Sequence, residues 1–439
     1  MPDEPPMTPP TFWDGGAEPD EIEAAIGPSP PPPEPARVVG LDGKPVRHAG
    51  SAPVEAVPLP IREIAEIPPR PWAYGTFLLF GQAAALGAVD GGGKGALAVG
   101  IALAFITGQP LLGERVWQPG PVAILTYEDD ATEWERRIAA ACLFHGLEYA
   151  DVRGQVFFIS AGTRRIRIAA LQDGRTAFPD GDGIVAAVRQ FGCKLLLIDP
   201  FNHAHDMQDG NSNALIAQVA SEITRIAQEG GVAALVLHHL RKGSNGAADD
   251  LMGATSLRAT FRAARILQRM DREIAERLGV EESWRYTRIA GSKENYAPPP
   301  EDGTWFRLAS QDLGNPSALY PAGDNVAVAV PWTPPTPFDG LTWIAIDAIL
   351  DQIERGPAPG ERYAPARQAK ERWVGQPFLD AGRSAGQAVG IIKAWIENGV
   401  LEPGLYHSPE RRREVACLGV NRTKAAEMRR AMQDETPVE

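Results

Sequence analysis

The stretch LGAVDGGGKGALAVGIALAFITG, residues 86–108, constrains this chain more than any other. It runs from a short apolar segment through a glycine-rich turn ending in Lys94 into a continuous apolar helix. Backbone N–H groups can converge on an anion only where no Cβ intervenes, and Gly91, Gly92, Gly93 and Gly95 leave that room. Lys94 adds a point charge for the β- and γ-phosphates, and the positive end of the following helix faces the same place. The pattern predicts a phosphate-binding loop from Ala88 to Ala96; a glycine-rich βα turn that binds nothing is the alternative.

Against the pattern G-x-x-x-x-G-K-[ST], two positions depart. Ala88 stands at the first glycine, and Gly95 stands where a hydroxyl holds Mg²⁺. The second departure removes a metal ligand, so water or another side chain has to fill its place. Asp90 is at odds with neighbouring phosphates unless its side chain points outward.

The chain has 439 residues, enough for two or three domains, and 44% hydrophobic with 23% charged residues implies a sizeable core. A net charge of −13 excludes a nucleic-acid coat over the whole surface and leaves room for a local basic groove. Cys142, Cys193 and Cys417 stand far apart and in no C-x-x-C spacing, which predicts core thiols in a reducing compartment and no zinc site. No apolar run reaches the roughly 18 residues of a membrane span. A cytoplasmic protein with no membrane partner is expected.

Residues 1–60 are rich in proline, including PSPPPPEP at 28–35, and poor in large apolar residues, so a disordered segment is predicted there. Trp72, Tyr74 and Phe77 need a core, which places the start of the folded domain at 61. Beyond the loop helix, VAILTY reads as a buried parallel strand with Glu128 at its carboxyl end, where open α/β sheets bind ligands. There a carboxylate can orient a water as catalytic base. Asp129 and Asp130 read as helix-start acids, with Asp130 and Glu133 forming a capping box.

KLLLIDP is a second buried strand and delivers Asp199, the expected holder of Mg²⁺, a turn or cap role being the alternative. FNHAHDMQDGNSN then reads as an exposed mobile loop. VAALVLHHLRKG is a third strand, ending in His238 and His239. These are either structural or, in one case, a reporter of the γ-phosphate; no metal-ligand spacing accompanies them. RKGSNGAADDLMG reads as a second flexible loop with Arg241 and Lys242 placed to contact phosphate backbone. The helix expected for TSLRATFRAARIL carries Arg258, Arg262 and Arg265, either on a solvated or salt-bridged face or presented to a neighbouring subunit's nucleotide. Strands and helices alternating through 80–270 predict an α/β fold with a mainly parallel sheet covered on both faces.

Taken in order, IPPRPWAYG, AVDGGGKGAL, TYEDD, LLLIDP, VLHHLRKG, MGATSLRATFRAAR and SKENYAPP resemble the RepA-type hexameric replicative helicases, a family of RecA-like P-loop ATPases, over residues 65–330. The resemblance implies that Lys94 binds ATP phosphate, Glu128 is the catalytic carboxylate, and Asp199 is the Mg²⁺ residue. It also implies that His239 or His238 is the sensor, that Arg262 is an arginine finger, and that Lys293 with Asn295 lies near the subunit interface. It further implies a homo-oligomeric ring, typically a hexamer, moving on single-stranded DNA with replication partner proteins. Gly95 departs from the family's Ser or Thr and bears on metal affinity and turnover.

The expected ATPase domain is 61–333, followed by a proline-rich linker at 334–340 and a small winged-helix-like domain at 341–425. In that domain LTWIAIDAILDQIER and SAGQAVGIIKAWIENG are helices, the latter capped by Ser384. VLEPGLY and REVACLGV form a hairpin with Arg411, Arg412 and Arg413 near its tip, suited to a DNA backbone; a helical cap for the ring or a partner is the alternative. Residues from 426 read as a frayed tail. The reading is a DNA-associated ATP-driven helicase-like ring, with a nucleotide-dependent oligomeric replication or regulatory factor of little turnover as the alternative and a small-molecule kinase a distant third.

Overall fold

A computed structural model describes residues 56–160, 164–173, 175–206, 213–240, 260–297, 303–336 and 338–434. The chain divides into two units, Met1–Pro68 and Pro69–Glu439. In the first, the described part is an exposed strip with one 3₁₀ turn at Ile64–Glu66. The predicted disorder of the proline-rich segment concerns residues that, up to 55, lie outside the described ones.

In the second unit, β1 (Trp72–Tyr74) and β2 (Leu78–Leu79) make a small antiparallel ribbon before β3 (Ala83–Ala88), the glycine loop and α1 (Lys94–Thr107). Then come β4 (Val122–Thr126), α2 (Ala131–His145), the short α3 (Tyr149–Val152), β5 (Val156–Phe158), β6 (Ala169–Gln172), β7 (Arg175–Ala177) and α4 (Gly181–Gln190). They are followed by β8 (Leu195–Asp199), β9 (His205–Asp206), α5 (Asn213–Gly230), β10 (Ala233–His239), β11 (Ala263–Arg269) and α6 (Arg272–Leu278). An antiparallel flank of β12 (Tyr286–Glu294), β13 (Trp305–Asp312) and β14 (Asn325–Trp332) completes a nine-stranded sheet ordered β14-β13-β12-β11-β3-β10-β8-β4-β5. From β11 to β5 every pairing is parallel.

Both faces of the central strands are covered, which is why their sequences are unbroken apolar runs. Ala84, Leu86, Ile124, Leu197 and Leu235 turn toward α1 and α2, while Ala85, Leu125, Ile198 and Val236 turn toward α4 and α5. The three cysteines are free and buried, as expected of core thiols. No helix among the described residues is long and apolar enough to cross a membrane.

Two stretches of the sheet domain differ from expectation. Residues 263–269 are not helix but the inner strand β11, with Ala263 and Leu267 on one face and Ala264 and Ile266 on the other. Arg265 therefore lies inside, 5% exposed and over the ring of Phe77; it is salt-bridged, to Glu114 at 2.9 Å, but within the strand rather than on a solvated helix face. Arg258, like the expected loop with Arg241 and Lys242, lies outside the described residues. The segment after Asp199 is in part ordered: Phe201–His203 forms a 3₁₀ turn with Phe201 buried, and β9 pairs with β6; 207–212 lie outside the described residues.

The remainder is a module with its own core, in which Trp395, Phe378 and Ile349 are buried. It comprises α7 (Trp343–Arg355), α8 (Gln376–Asp380), α9 (Ala385–Glu397), the hairpin β15 (Leu401–Ser408) and β16 (Arg413–Val420), and α10 (Arg422–Asp434). Ser384 caps α9 in a full capping box with Gln387. Of the residues expected to fray from 426, those up to Asp434 belong instead to α10, held by Arg422 bonding Glu354 at 2.8 Å and Arg429 reaching Asp347 at 3.5 Å, with Met428 packed on the module core; 435–439 lie outside the described residues. The module sits on α6. Ser384 Oγ donates to the Glu276 carbonyl at 2.9 Å, and Gly386 approaches so closely that a Cβ there would lie 2.7 Å from the same oxygen.

Glu361 ties the hairpin to the helices. Its carboxylate accepts from Tyr406 Oη at 2.5 Å, Ser408 Oγ at 2.7 Å and the Glu410 N–H at 3.1 Å. These bonds, from Tyr406 above all, pull it from an ordinary 4.5 down to about 2. A carboxyl with a depressed folded-state pKa stabilises fully above its unfolded value and loses that contribution as pH falls through the folded one. Unfolding followed by tryptophan fluorescence should show the module weakening between pH 4.5 and about 2, a dependence that flattens in Glu361→Gln. An unchanged acid profile in that variant would contradict the assignment.

Candidate nucleotide site

Parallel register brings the carboxyl ends of four strands into one row. His239 of β10 pairs with Ala88 of β3, and Thr126 of β4 pairs with Asp199 of β8. The glycine loop rises from this row. Gly91 and Gly93 have φ of 67° and 87°, a region open to glycine, and a Cβ on Gly92 would lie 2.9 Å from the Val89 carbonyl oxygen. Gly93 is the residue at which α1 begins, so the free N–H groups of its first turn open onto a cavity of 480 Å³.

Lys94, Glu128, Asp129 and Asp199 line that cavity together. Burial pushes the Lys94 ammonium below its ordinary pKa, against the opposing pull of Asp199, Glu128, Asp90 and Asp129. Its Nζ lies 3.0 Å from His239 Nε2, while His239 Nδ1 is 2.6 Å from Asp90 Oδ1. The imidazole thus donates to Asp90 through Nδ1 and accepts from Lys94 through Nε2. Asp90, at odds with phosphate in the sequence, is turned toward the end of β10. Glu128 Oε2 lies 3.5 Å from His239 Nε2, and its other oxygen lies 3.6 Å from His203 Nδ1.

Of the two histidines, only His239 reaches this cluster. His238 points to the other side of the sheet, edge-on to Phe201, where burial lowers it to about 4.

Asp199 is 5% exposed, its pKa is raised chiefly by burial, and its Oδ1 has no hydrogen-bond partner. A desolvated carboxylate oxygen aimed beside a phosphate loop fits a magnesium ion, which takes one or two carboxylates and completes its shell with water and phosphate. Among the described residues no group of three or more His, Cys, Asp or Glu could hold a metal by itself.

At position 95 a Cβ would come 3.5 Å from Arg137 Nη1, an ordinary contact. Arg137 is fixed by Asp129 at 2.8 Å and Glu133 at 2.9 Å, so a guanidinium stands over the place where the hydroxyl is missing. This revises the reading of the acids. Asp130 does accept the Glu133 N–H at 2.8 Å, but the Glu133 side chain completes no capping box, and Asp129 holds Arg137 rather than the helix start. The Glu133 to Arg137 spacing of i, i+4 was the available sequence signal for this arginine. Arg269 was also missed; its Nε donates to the Gly91 carbonyl at 3.0 Å, and no local pattern marks it.

Arg262 is not brought to this site. It precedes β11, whose Ala263 pairs with Ala84, and so lies at the opposite edge of the sheet, exposed. Lys293 and Asn295 are there too: Lys293 Nζ donates to the Phe261 carbonyl at 3.0 Å and the Asn295 N–H to that of Arg262 at 3.1 Å.

Two glycine substitutions should separate. Gly93→Ala forces a side chain into φ 87° with Leu308 at 3.1 Å and should weaken nucleotide binding about tenfold or more, whereas Gly95→Ser should leave it within a few fold. Titration with a fluorescent ATP analogue checks both, and equal affinities for wild type and Gly93→Ala would refute the loop assignment.

Residues 52–245 match the family described as an AAA domain. That stretch spans the glycine loop, Glu128, Asp199 and His239 and ends before Arg262. The match and the mainly parallel α/β sheet are those of a P-loop ATPase domain with a RecA-like core, and the cavity at the end of β3 is its candidate nucleotide site.

Proposed function

We propose that the chain hydrolyses ATP as a RepA-type, helicase-like ring ATPase acting on DNA in replication, with single-stranded DNA as its track and further replication proteins as partners. The observation that carries this reading is the meeting of Lys94, Glu128, Asp199 and His239 around one glycine loop. Lys94 and the first turn of α1 hold the β- and γ-phosphates. Glu128 orients the attacking water and takes up its proton, while His239, bonded to Lys94 and close to Glu128, registers the presence of the γ-phosphate. Magnesium bound at Asp199 supplies charge neutralisation on the phosphate oxygens.

The placement of Arg262 favours a ring. An exposed arginine on the edge of the sheet away from its own loop is available to a neighbouring subunit and to no site of its own. Stabilising transition-state charge from outside is what an arginine finger does, worth about 10³-fold or more in turnover. Arg262→Ala and Lys94→Ala should each abolish most ATP hydrolysis, and mixing the two inactive proteins should restore part of it. Hybrid interfaces then pair an intact Lys94 with an intact Arg262. No recovery on mixing would rule out a shared site.

Glu128→Gln should lower kcat by about 10²-fold or more with nucleotide affinity kept, and single-stranded DNA should stimulate the wild type. Gly95 supports a second reading, an oligomeric regulatory or replication factor that binds ATP and turns it over little. In that case DNA leaves the rate flat, and Gly95→Ser, which places a hydroxyl beside Arg137, raises it.

A further inference from the structure

The hairpin β15–β16 ends in an anchored turn that the ATPase site does not use. Arg411, Arg412 and Arg413 follow one another there, all exposed, and their guanidinium groups form no ion pair with any described residue. Glu410 and Glu414 flank them. The turn is held from below: Ser408 Oγ donates to Glu361 and accepts the Arg411 N–H at 3.1 Å, and the Arg412 N–H donates to the Ser408 carbonyl at 2.8 Å. Arg412 sits at φ 51°, a conformation that a non-glycine residue keeps only where its surroundings impose it. Three arginines therefore follow one another on an anchored backbone turn at the end of the hairpin, on a chain whose net charge is −13.

Position in the fold narrows what this turn can bind. In helix-turn-helix arrangements the second helix enters the major groove by its N-terminal residues. Here the first turn of α9 is taken: Ser384 bonds Glu276, Gly386 packs against Glu276 and Arg277, and Gln387 lies against Gly279. That leaves the hairpin tip. It exposes no Phe, Tyr or Trp ring: Tyr406 is half-buried with its hydroxyl bonded to Glu361, and the one exposed ring close by is the small imidazole of His407. Single-strand binders rely on the larger rings to stack bases, whereas fixed cations alone suit the regular phosphates of a duplex.

We propose that Arg411, Arg412 and Arg413 grip the phosphate backbone of duplex DNA without reading its sequence. The inference rests on the DNA-linked reading of the ATPase and adds to it a duplex contact distinct from the strand on which the motor acts.

The test uses the full chain and a short fluorescent duplex, followed by anisotropy across a salt series, with single-stranded DNA of the same length alongside. Replacing the three arginines together by alanine should weaken duplex binding about tenfold or more and reduce the log–log salt slope by about two to three, one per lost phosphate contact. The corresponding triple lysine variant should stay within a few fold of wild type, and ATP hydrolysis without DNA should not change in either. Equal duplex affinity and slope for wild type and the alanine variant overturns the proposal, as does a loss confined to single-stranded DNA. If single-stranded DNA still stimulates the wild-type ATPase, such a result removes the hairpin contact alone. Absence of both stimulation and DNA binding removes the DNA reading with it.

Discussion

One half-buried ammonium, that of Lys94, holds the rest of the site together. Asp199, Glu128, Asp129 and Asp90 gather around Lys94 at the carboxyl edge of the sheet, and Glu128 and Asp129 add to the burial that raises the pKa of Asp199. Lys94 is the cation they share, set by α1 directly above the row of strand ends. Its own burial opposes its charge, so the ammonium and the carboxylates stabilise one another or not at all. Helix dipole, glycine loop and acids form one electrostatic unit, arranged before any anion enters.

Around that unit the fold adds supports from distant parts of the chain. Arg137 is braced by Asp129 and by Glu133 of its own helix and overhangs Gly95, while Arg269 comes from the end of β11 to hold a carbonyl of the loop. The antiparallel flank reaches the same cavity, with Leu308 of β13 against Gly93 and Asp324 bonded to Arg136 at 3.4 Å. Since α6 follows β11 directly and carries the C-terminal module, the module and the loop are attached to opposite ends of one short segment.

The buried pair of Arg265 and Glu114 shows why arginine spacing misled. Read at helical period, three arginines suggested a presented face; in the strand, alternation sends Arg265 inward, where Glu114 and the ring of Phe77 receive it. A carboxylate partner and a flat aromatic surface allow a guanidinium to be buried where a lone charge would not be tolerated. Nothing local in TSLRATFRAARIL announces that partner, because Glu114 stands far upstream.

By itself the sequence determined the glycine loop, the buried strands and the acids or histidines that end them. Each of these is a local pattern, and a continuous apolar run closed by a polar residue has few other uses in a sheet covered on both faces. The caps at Asp130 and Ser384 and the two strands of the hairpin were legible for the same reason. Tertiary structure alone decided that His239 and not His238 meets Lys94, that Asp90 turns away, that Arg137 and Arg269 brace the loop, and that Arg262 lies on the far edge. Those outcomes depend on strand register and on which face a side chain takes, and a shift of one residue reverses every face. Register is set by pairing between segments far apart in the chain, so no single segment contains it.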